Sequence, residues 1–268
     1  MKCKNIIDIL EELAPQKFAE DWDNCGLSYG NKDIDVNRIL VALEPTENVI
    51  EQGIEKDVDM IITHHPMIFS SVKTLSFEKV IGRKITKLAK NDIVCYSLHT
   101  NMDAVVMARV AAEKMGLEEA IRLDVTDEYS CCVAGENITV GIGSIGNVTK
   151  SITLRECSEL VKDIFNIDRV RVVGDLQKRL NRIAILPGSG KSYIKKAIKE
   201  KVDVLITGDI DYHSAVDALE EGICLIDAGH YDTEHFFVEY IAEYLNNKLT
   251  DFGVKVDIAT EKSPFTII

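Results

Sequence analysis

The chain has no uninterrupted apolar run of about 18 residues, the length at which a segment becomes a candidate membrane span, so no part of it is expected to cross a membrane. Its opening stretch, MKCKNIIDILEELAP, lacks the apolar core and the cleavage site of a secretory leader. The expected location is the cytoplasm. Cys-x-x-Cys spacing is absent as well. The seven cysteines, Cys3, Cys25, Cys95, Cys131, Cys132, Cys157 and Cys224, are odd in number and scattered, which fits reduced thiols better than a disulfide framework. Cys95 and Cys224 sit inside apolar runs and read as core filling. No Pro/Ser tract or low-complexity segment points to disorder. An excess of positive charge is also missing: 31 Lys and Arg face 44 Asp and Glu, a formal net charge of −13. Duplex nucleic acid is a poor partner for such a chain, because neutralising phosphates drives that binding. One stretch departs from the balance, with ten Lys/Arg and three acidic residues between Asp168 and Lys201. It reads either as a solvated face or as a local site for an anion.

The length of 268 residues allows one large or two medium domains. Residues 5–13 read as a helix, with Ile6, Ile7, Leu10 and Leu13 on one face and Pro15 ending it. A loop, DWDNCGL at 21–27, follows. Strands are expected over 38–43, 58–63 and 93–98, and helices over 46–56, 77–90 and 104–115. Thr46 suits a helix N-cap, and Gly116 suits a C-terminal stop. Continuous apolar runs such as the one at 58–63 mark strands buried on both faces. In the middle, 137–145, 169–173 and 182–186 read as strands and 153–165 as a helix. Helices follow over 192–201 and 214–221, strands over 202–207 and 223–227, a long helix over 234–249 and a last strand over 254–259.

The two halves echo one another. Val58-Asp-Met-Ile-Ile-Thr63 and Val202-Asp-Val-Leu-Ile-Thr207 match in character, and each follows a helix ending in Glu-Lys. The expected architecture is therefore α/β, with two similar three-layer-type lobes of mainly parallel strands, residues 1–126 and 127–268, and the ligand site at the cleft between them. The return of the C-terminal strand to the first lobe is left open.

All six histidines, His64, His65, His99, His213, His230 and His235, fall shortly after an expected strand, and the carboxyl ends of strands are where open α/β sheets bind ligands. Side chains alternate along extended backbone, so the neighbours His64 and His65 in THHP suit two adjacent ions better than one. HTNMDA at 99–104 offers His99 and Asp103 where strand passes into helix. DAGHYDTE at 227–234 offers Asp227, His230, Asp232 and Glu234, and Glu234 is long enough to bridge two ions. Each motif has a bland alternative, respectively a surface loop, an N-cap and a first-turn acid. Imidazoles and carboxylates without thiolates suit Zn, Mn, Fe, Co or Ni and do not choose among them. A pair of such ions points to hydrolysis, with His99, Asp209 and His213 as proton carriers or as groups that orient the ligands. PGSGKS at 187–192 imitates a phosphate loop, but Ile185 stands where the first glycine of that motif belongs. A tight turn and an amide nest for an anion both remain open there.

DWDNCGL, THHP, HTNMDA, PGSG (187–190), TGDIDYH (207–213) and DAGHYDTE occur in the order and approximate spacing of one family. Over nearly its whole length the chain resembles the GTP cyclohydrolase 1 type 2 homologues, also called Nif-three-like proteins. The resemblance implies a dinuclear site held by His64, His65, Asp103, His230 and Glu234, with Glu234 touching both ions, and a toroidal homohexamer. It also implies opening of the guanine imidazole ring of GTP to give a dihydroneopterin triphosphate. The expectation is a metal-dependent hydrolase of a nucleotide-like or phosphorylated small molecule, anionic if the basic stretch is a binding surface. A non-enzymatic metal-binding regulator or adaptor and a metal-dependent phosphoesterase stand as alternatives.

Overall fold

The structure, a computed structural model, describes residues 1–133 and 136–266, apart from the side chains of 126–138. In chain order, the first elements are α1 (Cys3–Leu13), β1 (Gly26–Tyr29), β2 (Arg38–Ala42), α2 (Glu47–Glu55), β3 (Met60–Thr63), α3 (Val80–Lys90) and β4 (Val94–Ser97). Then come a short α4 (Thr100–Met102), a π-helical turn (Asp103–Met107), α5 (Ala108–Lys114), β5 (Glu118–Val133), β6 (Glu136–Thr153), α6 (Leu154–Phe165), β7 (Arg171–Val173) and β8 (Arg179–Ser189). The last are α7 (Ile194–Lys199), β9 (Val204–Gly208), α8 (Tyr212–Glu220), β10 (Cys224–Asp227), the one-turn α9 (His230–Glu234), α10 (Phe236–Leu249) and β11 (Lys255–Ile258). None of the described helices is long and apolar enough to cross a membrane. The chain forms two compact units, Met1–Met102 with His235–Ile268, and Asp103–Glu234. The boundary expected between 126 and 127 falls inside β5.

The sheet of the first unit has the order β1-β4-β3-β2-β11. β1 is antiparallel to β4, and the other pairs are parallel. The C-terminal β11 thus lies beside β2. Every residue of β3 and β4 is buried, as parallel strands covered on both faces require. Leu40, Ile61 and Cys95 from the sheet pack with Val49 and Ile50 of α2 and Leu88 of α3. Thr46 caps α2 by accepting from Val49 N at 3.1 Å. The expected helix over 77–90 begins only at Val80, where Lys79 gives no side-chain cap.

In the second unit the order is β5-β6-β8-β9-β10-β7. Only β8, β9 and β10 run parallel; β5, β6 and β7 pair antiparallel. The expectation of mainly parallel strands therefore holds for the first sheet and for half of the second. The long antiparallel β5–β6 pair, which needs no crossover helix, and the antiparallel edge strand β7 account for the difference. The expected helix over 104–115 opens instead with the π-helical turn. There Arg122 Nη2 donates to Val105 O (2.9 Å) and Ser144 Oγ donates to Ala108 O (2.8 Å), so two helix carbonyls take side-chain partners.

The echo between the halves extends to individual hydrogen bonds. Asp59, just before β3, accepts from the amides of Asn37 and Arg38 (2.7 and 3.0 Å). Asp203, just before β9, accepts from those of Asn181 and Arg182 (2.7 and 2.9 Å). At the far end of each strand, Leu98 N donates to Thr63 O (2.9 Å) and Ala228 N donates to Thr207 O (2.8 Å). In both halves these bonds deliver the next loop to the carboxyl end of the buried strand.

Candidate metal centre

In the first unit, three imidazoles gather where β3 and β4 end. His65 N donates to Leu43 O (3.1 Å) and Thr63 Oγ1 donates to His65 O (2.7 Å), which fixes the chain as it leaves β3. The ring of His64 lies 4.9 Å from that of His65 and 5.4 Å from that of His99, and His65 and His99 are 5.3 Å apart. Each ring is held through Nδ1. His64 donates to Leu98 O (2.7 Å), His65 to Glu44 Oε1 (2.6 Å) and His99 to Asp23 Oδ1 (2.9 Å). These oxygens accept, so each Nδ1 carries a proton, and in the neutral ring Nε2 is then the nitrogen that can bind a metal. Backing of this kind by a carbonyl or carboxylate is how metal-binding histidines are oriented.

The supports are themselves anchored. Asp23 Oδ2 also accepts from Thr100 N (3.1 Å) and Thr100 Oγ1 (2.6 Å). Burial on its own raises the Asp23 carboxyl, but the bonds from His99 and Thr100 outweigh it and hold the group down at about 2. It is therefore a full negative charge behind His99 at neutral pH. Nearby, burial together with the charges of Asp23 and Glu11 pushes the Cys25 thiol up to about 12, so it supplies no thiolate. Behind Glu44, Glu261 accepts from the amides of Leu43 (2.6 Å) and Glu44 (3.1 Å).

In the second unit, α9 carries His230 and, one turn on, Glu234. His230 Nδ1 donates to Asp209 Oδ2 (2.7 Å), and its Nε2 lies 3.1 Å from Glu234 Oε2. Glu234 is buried. The PGSG turn packs against this helix: Gly188 N donates to Thr233 Oγ1 (2.9 Å), and Thr207 Oγ1 donates to Gly188 O (3.2 Å). Gly188 has φ +75, and a Cβ there would stand 2.0 Å from Glu234 Oε1. The turn thus gives room to a carboxylate of the site.

His64, His65 and Glu234 together could hold a metal ion, because each offers one ligand atom and these atoms lie within 4.8 Å of one another. Two imidazole nitrogens and a carboxylate suit a divalent ion of the zinc, manganese, iron, cobalt or nickel kind. Asp103 and His230 are outside that group of three. Asp103 opens the π-helical turn and is half-buried. His213 is exposed on α8, its ring beside that of Tyr212. Asp227 is used structurally, accepting from Arg171, Ile210 N (3.0 Å) and Gly229 N (3.1 Å). Part of the basic stretch is engaged locally. Lys196 pairs with Asp124 (2.9 Å), Lys191 with Asp211 (3.4 Å) and Arg171 with Asp227, while Lys178 Nζ donates to Gly222 O (2.6 Å).

Reading the sequence for ligands overlooked Glu44 and Glu261, and gave Asp23 no role although it lies in the quoted DWDNCGL. Asp23 precedes His99 by 76 residues and Glu261 follows Leu43 by 218. A charged residue in each loop beside the strand ends was the only signal available.

An α/β scaffold that gathers imidazoles and a carboxylate where its strands end defines a class of candidate metal-site proteins. The chain belongs to the DUF34/NIF3 (NGG1p interacting factor 3) family, whose model matches residues 1–264. It is 35% identical over 266 residues to a Clostridium acetobutylicum protein named GTP cyclohydrolase 1 type 2 homolog, covering 98% of this chain and 96% of the relative. A Streptococcus pneumoniae protein of the same name is 37% identical over 264 residues, covering 96% and 95%. Among solved structures, reduced HcgD from Methanocaldococcus jannaschii superposes with a TM-score of 0.82 at 31% identity, covering 96% of this chain and 97% of that one. A Bacillus cereus protein related to NIF3 shares the fold with a TM-score of 0.91 at 24% identity, covering 100% and 99%.

Proposed function

We propose that the chain is a metal-dependent hydrolase of a nucleotide-like or phosphorylated small molecule, working with two divalent ions. The observation that carries this reading is the convergence of ligand atoms from His64, His65 and Glu234, with Nδ1 of both histidines engaged elsewhere, which leaves Nε2 for an ion. Asp103 and His230 would complete the ligand set, and Glu234 would serve both ions. When bound, such a pair supplies Lewis-acid polarisation of a substrate oxygen. Glu44 and Asp209 fix the rings of His65 and His230. Asp23 holds the ring of His99 through Nδ1, and an imidazole oriented in this way can act as a proton carrier. The name shared by the relatives, GTP cyclohydrolase 1 type 2 homolog, makes GTP the first substrate to try. The homohexamer belongs to this proposal through family resemblance, and the cytoplasmic location through the odd, scattered cysteines.

The test is to strip the protein of metal, reload it with Zn, Mn, Fe, Co or Ni in turn, and measure metal content. The loaded protein is then incubated with GTP and with a panel of phosphate mono- and diesters. Formate and a fluorescent pterin from GTP, or release of phosphate or alcohol from an ester, are expected to disappear in Glu234→Ala. Equal turnover by Glu234→Ala would refute the hydrolase reading. Full loading without turnover of any substrate would favour the metal-binding regulator.

A further inference from the structure

We propose that Trp22 and Phe69 form a stacking wall that receives a planar heteroaromatic ring of the ligand beside His99. This deepens the reading above, which places the reacting part of the ligand at the same imidazoles. The chain has one tryptophan and only 6% aromatic residues, yet Trp22 and Phe69 are 58% and 61% exposed. A single exposed aromatic is ordinary. Here two lie together, with ring centroids 5.6 Å apart at 48°, and both stand edge-on to one imidazole: His99 is 6.0 Å from Trp22 at 79° and 6.1 Å from Phe69 at 69°.

The wall is built rather than incidental. Asn24 Nδ2 donates to Ile68 O at 2.8 Å, latching the loop that carries Trp22 to the loop that carries Phe69. Between Trp22 and Asn24, Asp23 binds the ring of His99 and the amide and hydroxyl of Thr100. The same short segment therefore fixes a histidine of the site and sets an aromatic face next to it. Exposed π faces held rigidly at low entropy cost favour a flat ring, and stacking tolerates any base because each has a π face. No phosphate-binding cation is needed for this part of the recognition.

The experiment uses the whole metal-loaded protein. GMP and AMP are titrated, with ribose 5-phosphate as the control that lacks a ring, and the single tryptophan reports by fluorescence. The nucleotides are expected to quench Trp22 and, by calorimetry, to bind about tenfold or more tighter than ribose 5-phosphate. Trp22→Leu and Phe69→Leu are each expected to remove most of that difference, roughly 5- to 150-fold for one stacked base, while metal content stays at the wild-type value. Absence of quenching, equal affinity for ribose 5-phosphate, or unchanged nucleotide affinity in both variants would overturn the proposal. So would a variant whose only change is oligomeric mass, which would mark the wall as a contact between copies. Loss of metal or turnover in the wild type bears on the hydrolase reading instead, because stacking is read from quenching and affinity.

Discussion

Replacing Gly188 by alanine tests whether the PGSG turn exists to make room for Glu234. The added Cβ would lie 2.0 Å from Glu234 Oε1, 2.9 Å from its Cδ and 3.5 Å from His230 Nε2. Ordinary contacts of a Cβ lie at 3.4–4 Å, so the carboxylate must retreat by more than an ångström. The obstacle is the end of a side chain, and the backbone can stay in place while Glu234 swings aside. The left-handed φ of +75 at Gly188 adds strain of about 1–2 kcal/mol for a residue with a Cβ. For a chain of this size that corresponds to a fall in Tm of roughly 2–8 °C. Metal binding is expected to suffer more. Even the loss of a group that only orients a ligand costs about 10–100-fold in affinity, and here the proposed ligand itself is displaced. Calorimetric titration of the stripped variant with zinc or manganese would measure this, beside a thermal scan without metal. A variant that binds metal as tightly as the wild type would refute the reasoning, because Glu234 would then either be no ligand or recover its place unhindered.

Three further outcomes are expected. Glu44→Gln keeps an acceptor for His65 Nδ1 but removes the charge behind it, and metal affinity by calorimetry should fall by about tenfold; no change would remove Glu44 from the support of the site. The Glu47 carboxyl is held down at about 2 by Arg83 and, with it, Lys87, against the opposing effect of burial. Because the folded value lies below the unfolded one, its contribution is complete above pH 4.5 and is lost as pH falls through about 2. The Tm gap between wild type and Glu47→Gln should therefore narrow from pH 6 to pH 3, and a constant gap would contradict the assignment. Burial pushes the thiols of Cys95 and Cys157 up to about 12. Peptide mapping after alkylation at pH 8 should find both unlabelled until the protein is unfolded.

Much of this architecture can be read from local sequence, and the remainder fails for identifiable reasons. The runs Met60–Thr63 and Val204–Gly208 announce themselves because strands buried on both faces must be apolar throughout. Thr46 announces α2 because a hydroxyl at the N-cap meets an otherwise unpaired amide, and Thr153, read as the first residue of the helix, proves to cap α6. β1 stays hidden because Gly26–Tyr29 is an edge strand with one buried residue, which relaxes the demand for apolar side chains. Most of β5 stays hidden too, since Glu118–Val125 mixes charged and apolar residues without clean alternation. The π-helical turn has no pattern of its own; its consecutive buried Ala104, Val105, Val106 and Met107 satisfy a helix of either pitch. Among the candidate residues, His64 and His65 were legible from their place after a strand, and Glu234 as the last acid of DAGHYDTE. Glu44, Asp23 and Glu261 were not, because their partners are set by the fold over tens to hundreds of residues.

The repeated halves explain why the histidine pair occurs only once. Thr63 and Thr207 occupy equivalent ends of β3 and β9, and the bonds from Leu98 N and Ala228 N to their carbonyls are the same. The next residue is His64 in one half and Gly208 in the other. A Cβ on Gly208 would meet His230 N at 2.6 Å, Gly229 C at 2.7 Å and Gly188 O at 2.8 Å, all backbone atoms that cannot rotate away. A histidine at 208 is therefore excluded by the close approach of α9 and the PGSG turn. That approach is also what seats His230 and Glu234, and it leaves Asp209, with φ +60, to accept from His230 Nδ1. The first half spends its strand end on imidazoles, whereas the second spends it on holding a helix that carries one imidazole and a buried carboxylate. A duplicated scaffold with interchangeable ends would tolerate Gly208→His as readily as it carries His64, and the backbone distances around Gly208 rule that out.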